Sequence, residues 1–148
     1  MDIDSSMWAT SVETFEMMCF LVADPATDEA AQDSTFERHA GVRFDGPSGQ
    51  GPYAGAQLVV EASGFSLTEA LELMVDREGD EEAMAEAMAE LANIIGGRLM
   101  GDIDPDTAYD ITPIRYDATP EDRGHRCLGE ATLCFDEGSV RVSLLRAA

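Results

Sequence analysis

Met84-Ala85-Glu86-Ala87-Met88-Ala89-Glu90-Leu91-Ala92-Asn93-Ile94-Ile95-Gly96-Gly97 carries two patterns at once. Met84, Met88, Leu91 and Ile95 recur at spacings of four, three and four, which makes one apolar stripe along a helix. Glu86, Glu90 and Asn93 fall on the far side of that stripe, and Glu90 and Asn93, three apart, are neighbours there. Immediately upstream, Asp80 suits the helix cap, with Glu81 and Glu82 in a first turn where the dipole favours negative charge. Gly96-Gly97 supplies a C-terminal stop, with a run-on to Leu99 or Met100 as the alternative. Helical pattern alone makes the polar side a solvated face. Asn93 is its odd member, because Asn is a mediocre helix former where Glu, Lys or Gln would solubilise better.

Further upstream, Ser66-x-x-Glu69 has capping-box spacing ahead of Leu71, Met74 and Val75, so a short helix runs from Ser66 through Val75. Tyr53 to Ala62 is the clearest early strand, with Leu58, Val59 and Val60 consecutive and buried. Another strand spans about Gly41 to Phe44, and Gly46 to Pro52 is a turn-rich break. At the start, Trp8, Val12, Phe15, Cys19 and Val22 form the apolar stripe of a helix from about Ser6 to Val22, with Glu13 pointing away. Met17, Met18 and Phe20 crowd that helix and are assigned first to the core. Ala23 to Gln32 follows as an acidic loop, since Pro25 cannot continue the helix. Downstream, two weaker strands lie around Ala108 to Tyr116. Cys127 to Phe135 and Ser139 to Leu145 then form a β-hairpin about Asp136-Glu137-Gly138. Without regular βαβ alternation, the expected fold class is α+β: an antiparallel sheet with long helices packed on one face, one domain over residues 1–148.

Thirty Asp and Glu against nine Lys and Arg give a formal charge of −21. Leu, Ile, Val and Phe together stand just above the roughly 20% floor below which so charged a chain stays unfolded. A folded domain with a modest core and an acidic skin is expected. Nucleic acid is excluded as a partner, because no cluster of Lys and Arg is present to displace counterions from phosphates. An anionic membrane surface is excluded for the same reason, and no apolar run approaches the ~18 residues of a spanning helix. Met1-Asp2-Ile3-Asp4 lacks the basic region of a signal peptide, and three cysteines form no C-x-x-C pair, so the expected location is the cytoplasm.

Several other signals fail on inspection. Asp102-x-Asp104-x-Asp106 opens like a calcium loop, but Thr107 stands where Gly is needed and Pro113 where a bidentate Glu belongs. The glycines between Gly46 and Gly55 spell neither a P-loop nor G-x-G-x-x-G. His39 and His125 are isolated in sequence, and Cys19, Cys127 and Cys134 have nothing nearby to lower their pKa. No metal site is expected.

Glu90-Leu91-Ala92-Asn93-Ile94-Ile95-Gly96-Gly97 resembles the E-x-x-N-(I/M)-(I/V)-x-G core of the CheC/CheX/FliY chemotaxis phosphatases, and specifically their CheX-like branch. Phe15-Glu16-x-Met18 in the opening helix, the strand-turn-strand from Val42 to Val60 with Gly51 and Gly55, Tyr109-Asp110 and the closing hairpin are similar too, in the same order. The resemblance implies a phosphatase that hydrolyses the aspartyl phosphate of a CheY-like response-regulator receiver domain. The alternative is a non-catalytic module that binds a receiver or another partner. By resemblance Glu90 and Asn93 are catalytic: Asn93 orients the attacking water and Glu90 pairs with the receiver's lysine. Glu86 and Glu90 would contact the partner. Mg²⁺ is expected on the receiver, with no cofactor of this chain's own, and the CheX-like branch implies a homodimer to which Met17, Met18 and Phe20 could contribute.

Two departures refine this expectation. The family tends to carry Asp or Ser four residues before the motif Glu, where this chain has Glu86. Two-site members repeat E-x-x-N on the first helix, where this chain offers Glu13 and Glu16; two carboxylates cannot supply an amide donor. One active face per chain is expected.

Overall fold

Runs rich in apolar and β-branched residues, separated by Gly- and Pro-bearing turns, become strands, and the segments with a three-to-four spacing become helices. A computed structural model describes residues 2–19, 36–75, 81–114, 125–135 and 138–147. The elements are α1 (Ile3–Cys19), β1 (Arg38–Asp45), β2 (Gln57–Gly64), α2 (Phe65–Val75), α3 (Glu81–Ile103), β3 (Asp110–Ile114), β4 (His125–Phe135) and β5 (Gly138–Ala147), with a short 3-10 turn at Pro47–Gly49. The strands make one sheet in the order β3-β1-β2-β5-β4, every neighbouring pair antiparallel. This is the α+β architecture that the sequence pattern predicts.

Register explains where the core lies. Ala40, Val60, Val142 and Ala131 align in one row across β1, β2, β5 and β4, and Ala62, Val140 and Leu133 in a parallel row. These residues join Met84, Met88, Leu91 and Ile95 of α3 in a single buried cluster, so the helices cover that face. All four expected stripe residues of α3 are buried. β2 is central, with a neighbour on each side, and Leu58, Val59 and Val60 are all buried as expected, Val59 facing away from the helices with Leu145.

Helix α3 passes through Gly96-Gly97 and ends only at Ile103, beyond the expected stop. The apolar stripe continues through Leu99 and Met100, both buried, and sheet packing overrides the weak helix propensity of glycine. Gly96 is required by proximity: a Cβ there would lie 3.1 Å from Phe44 Cζ and 3.2 Å from Val42 Cγ2. The helix axis therefore sits as close to β1 as a bare backbone allows.

Other boundaries also depart from the sequence expectations. β2 begins at Gln57 rather than Tyr53, because Gly51 and Gly55 adopt positive φ and Tyr53 to Ala56 form a hydrogen-bonded turn. Gly64, at φ 107°, turns the chain directly from β2 into α2, so Ser66 lies inside that helix instead of capping it. Around Ala108 to Tyr116 the described residues hold one strand, β3, where two were expected. Helix α1 opens at Ile3, with Asp2 accepting from the Asp4 N–H at 3.3 Å and the Ser5 hydroxyl at 2.8 Å. Phe20, Val22, the Ala23 to Gln32 loop, the Asp80 cap and Asp136-Glu137 of the hairpin turn lie outside the described residues, as does the Cys19 side chain.

The buried face of α1 is rotated from its expected stripe. Met7, Thr10, Ser11, Thr14 and Phe15 are buried, whereas Trp8, Met17 and Met18 are exposed, correcting their assignment to the core. Hydrogen bonding makes this rotation affordable. Thr14 donates to the Thr10 carbonyl at 2.8 Å, and the Thr10 hydroxyl donates to Asp102 of α3 at 3.3 Å. Thr10 and Thr14 thus pass as interior residues with their oxygens partnered, whereas the buried Ser11 hydroxyl has no partner among the described residues.

One phenol ties the turn before β2 to the end of α3. Tyr109 donates to Asp104 at 2.7 Å and accepts from the Tyr53 N–H at 3.0 Å, while its ring meets Phe44 edge-on at 6.2 Å. Burial, then donation to Asp104, holds the phenol above its ordinary pKa; the Tyr53 N–H acts weakly the other way. A raised folded pKa gives stability that is complete below the unfolded value near 10 and is lost as pH rises past the folded value. Tyr109→Phe should therefore reduce stability at neutral pH by about 1 kcal/mol and blunt the alkaline loss, as read from urea midpoints over that pH range. Gly96→Leu should overpack the α3–β1 contact and destabilise by at least about 1–3 kcal/mol in the same assay.

Candidate functional site

The two patterns on α3 separate cleanly in space. With its stripe against the sheet, Glu82, Glu86, Glu90 and Asn93 are exposed, followed at the same four-residue spacing by exposed Gly97 and Gly101. Glu90 and Asn93, three apart on a regular helix, stand side by side. Neither has a side-chain hydrogen bond or ion pair among the described residues, and Glu86 likewise has none. The carboxylate presents two acceptor oxygens and the amide presents both a donor and an acceptor, all directed at solvent.

Each end of this helix is anchored. At the start, Arg38 of β1 forms a two-pronged ion pair with Glu81, at 2.8 and 3.2 Å, and holds the Glu81 carboxyl below its ordinary pKa. At the far end, Thr10 reaches Asp102 and Tyr109 reaches Asp104. Asp102 and Asp104 thus serve different partners instead of converging, and among the described residues no group of three or more His, Cys, Asp or Glu side chains could hold a metal ion. Beside the last turns of α3 lies an open depression of about 230 Å³, lined among others by Gly97, Met100, Gly101, Asp104, Tyr109 and Ile111.

The corresponding positions on α1 differ in kind. Glu13, opposite Glu90 when the helices are aligned, lies 3.5 Å from Arg98 of α3, and Arg98 also donates to the Met17 sulfur. Glu13 therefore braces one helix against the other. Glu16, opposite Asn93, is exposed and offers only a carboxylate.

Sequence reasoning missed two groups. Gly101 follows the motif's Gly97 on the exposed line of α3 but was hidden by the expected stop; the continuing Ile95-to-Leu99 spacing is the signal that reveals it. Glu61 is a fully buried carboxylate on the sheet face away from the helices. Arg141 donates to it from Nε at 3.0 Å and from a second guanidinium nitrogen at 2.9 Å, and His39 Nε2 lies 3.5 Å away. Phe36 stacks against the Arg141 guanidinium at 5.0 Å. His39, isolated in sequence, is thus beside a carboxylate in space. Register could have shown this, since His39, Glu61 and Arg141 pair across β1, β2 and β5. The cluster braces the sheet on the side opposite α3.

Among the described residues no helix is long and apolar enough to cross a membrane. The sequence matches no family model and no curated protein. Solved structures do match. The chemotaxis protein CheX from Vibrio vulnificus superposes with a TM-score of 0.70 at 11% identity, covering 98% of this chain and 96% of that one. CheX from Desulfovibrio desulfuricans gives 0.65 at 15% identity, covering 99% and 100%. A CheX–CheY–BeF3–Mg²⁺ complex from Borrelia burgdorferi gives 0.60 at 13% identity, covering 96% of each chain. Likeness at such low identity over nearly the full length of every chain is a statement about architecture: this chain has the CheX fold.

Proposed function

We propose that this chain is a phosphatase that hydrolyses the aspartyl phosphate of a CheY-like receiver domain in chemotaxis or a related two-component circuit, acting in the cytoplasm. The observation that carries the reading is the Glu90–Asn93 pair, exposed and without an intrachain partner among the described residues, on the long helix of a CheX fold. The Borrelia CheX solved with CheY and beryllium fluoride supports the choice of partner.

The chemistry suits so small a site. An aspartyl phosphate is an activated acyl phosphate, and its hydrolysis is accelerated mainly by positioning and charge stabilisation. Water attacks phosphorus in line, the bond from phosphorus to the receiver's carboxylate oxygen breaks, and aspartate and inorganic phosphate are released. The Asn93 amide holds that water by hydrogen bonding and does not titrate. Glu90 forms a charge-assisted contact with the receiver's lysine and sets the helix in register, with Glu86 one turn earlier adding to the same acidic surface. Mg²⁺ belongs to the receiver in this scheme.

Asn93→Ala should leave the melting temperature within about 1 °C of wild type, since Asn93 is exposed and unbonded, yet reduce receiver dephosphorylation roughly a hundredfold. Phosphate release from a receiver charged with acetyl phosphate measures it. If wild-type protein accelerates no receiver from its own genome, the enzymatic reading fails; saturable binding without acceleration would leave a receiver-binding module. Glu90→Gln preserves shape and removes charge, and should raise KM about tenfold with a smaller change in kcat.

A further inference from the structure

β4 is a terminal strand of the sheet, with β5 as its one partner among the described residues, and it runs for 11 residues from His125 to Phe135. An edge of that length presents a row of N–H and C=O groups and is a ready template for strand addition. In an antiparallel pair, alternate residues of a strand turn their backbone groups away from the partner. Glu130 is one of these on β4: its N–H donates not to β5 but to Asp4 Oδ1 of α1, at 2.8 Å. Thr132, two residues on, faces the same open side.

Three further features bring α1 to this edge. A Cβ on Gly129 would lie 2.5 Å from Ile3 Cγ2, 3.0 Å from Met7 Sδ and 3.2 Å from Asp4 Oδ1, so the first turn of α1 sits this close only over a bare backbone. Beside that glycine the β4–β5 register shifts between Cys127 and Gly129, an irregularity that bends an edge away from flat pairing. Asp2, in turn, accepts from the Asp4 N–H and the Ser5 hydroxyl and steadies the turn that carries Asp4. Ser5 and the exposed Trp8 continue the wall; with Asp4, Glu130 and Thr132 they line an open depression of about 320 Å³ beside the strand.

We propose that the first turn of α1 is a latch that closes the β4 edge against pairing with a second copy of this chain, and that Asp4 is its closing residue. The Asp4 oxygen stands where the carbonyl of an added strand would have to accept from the Glu130 N–H. A two-fold pairing centred near Glu130 would also set Asp4 and Glu130 of one copy against the same carboxylates of the other, and like charges opposed across strands destabilise the pair. The latch is built on a helix end, the part of a fold that opens at least cost, so the edge is closed only while that turn holds. None of these residues lies on the outer face of α3, and the inference stands apart from the receiver-phosphatase reading.

The experiment uses the full chain and compares wild type with Asp4→Ala, Thr132→Pro and the double variant. Two measurements are made: hydrogen exchange of the Glu130 amide, and sedimentation velocity over a wide range of concentration. Asp4→Ala should speed exchange at Glu130 by about tenfold or more while the amides of central strand β2 keep their rates. It should also associate more than wild type as concentration rises. Proline at position 132 withdraws an outward N–H from the edge, so the double variant should lose that added association while exchange at Glu130 stays fast. Unchanged exchange at Glu130 in Asp4→Ala overturns the proposal, as does association no greater than that of wild type. Added association that survives in the double variant overturns it too, because the contact then lies elsewhere. Wild-type chain whose own association is abolished by Thr132→Pro overturns it outright, since the edge would already be open.

Discussion

The contact of Gly96 with Phe44 and Val42 governs the rest of the molecule. It lets α3 lie directly on β1, and the side chains on either side of it, Leu91, Ile95 and Leu99, then fill the space over the sheet. A helix seated this closely has little rotational freedom, because turning it by one residue, about 100°, would drive Glu90 or Asn93 toward an apolar sheet. Fixing the inner stripe therefore fixes the outer line. Phe44 also meets the Tyr109 ring, so the strand that seats the helix steadies the turn at its end as well.

Charge is distributed around this frame in a consistent way. The nine basic residues are all arginine, and the described ones are largely engaged inside the fold: Arg38 with Glu81, Arg43 with Asp45, Arg98 with Glu13, and Arg141 with Glu61. Arg146 reaches the Pro52 carbonyl. Arginine suits such roles because its planar fork satisfies a carboxylate through two donors. The outer face of α3 receives none of these cations among the described residues. A formal charge of −21 also opposes any partner whose own pocket is rich in carboxylates, so local contacts must outweigh the overall field.

Much of this was legible in the sequence, for identifiable reasons. The periodicity of Met84, Met88, Leu91 and Ile95 places Glu90 and Asn93 outside, and the structure has them there, because a strong apolar stripe leaves the opposite face one orientation. Local pattern failed where tertiary contacts decide. Gly96-Gly97 looked like a stop because only Phe44, some fifty residues earlier, explains the close approach. Trp8 looked like core because hydrophobicity does not foresee Thr10 and Thr14 burying their hydroxyls in hydrogen bonds. Glu61 looked unremarkable because its partners come from two other strands. The roles proposed for Glu86, Glu90 and Asn93 are of another kind: they come from resemblance, and geometry adds that all three are exposed.

The interleaving of two faces on α3 also sets how the helix can drift over generations. Positions toward the sheet accept any apolar residue of similar volume, which is how a shared fold persists at 11 to 15% identity. The outer line contributes nothing to the core: a Cβ on Gly101 would meet nothing within 4 Å and one on Gly97 only an ordinary contact, whereas one on Gly96 would press on Phe44 and Val42. The sheet therefore edits one side of α3 and is indifferent to the other.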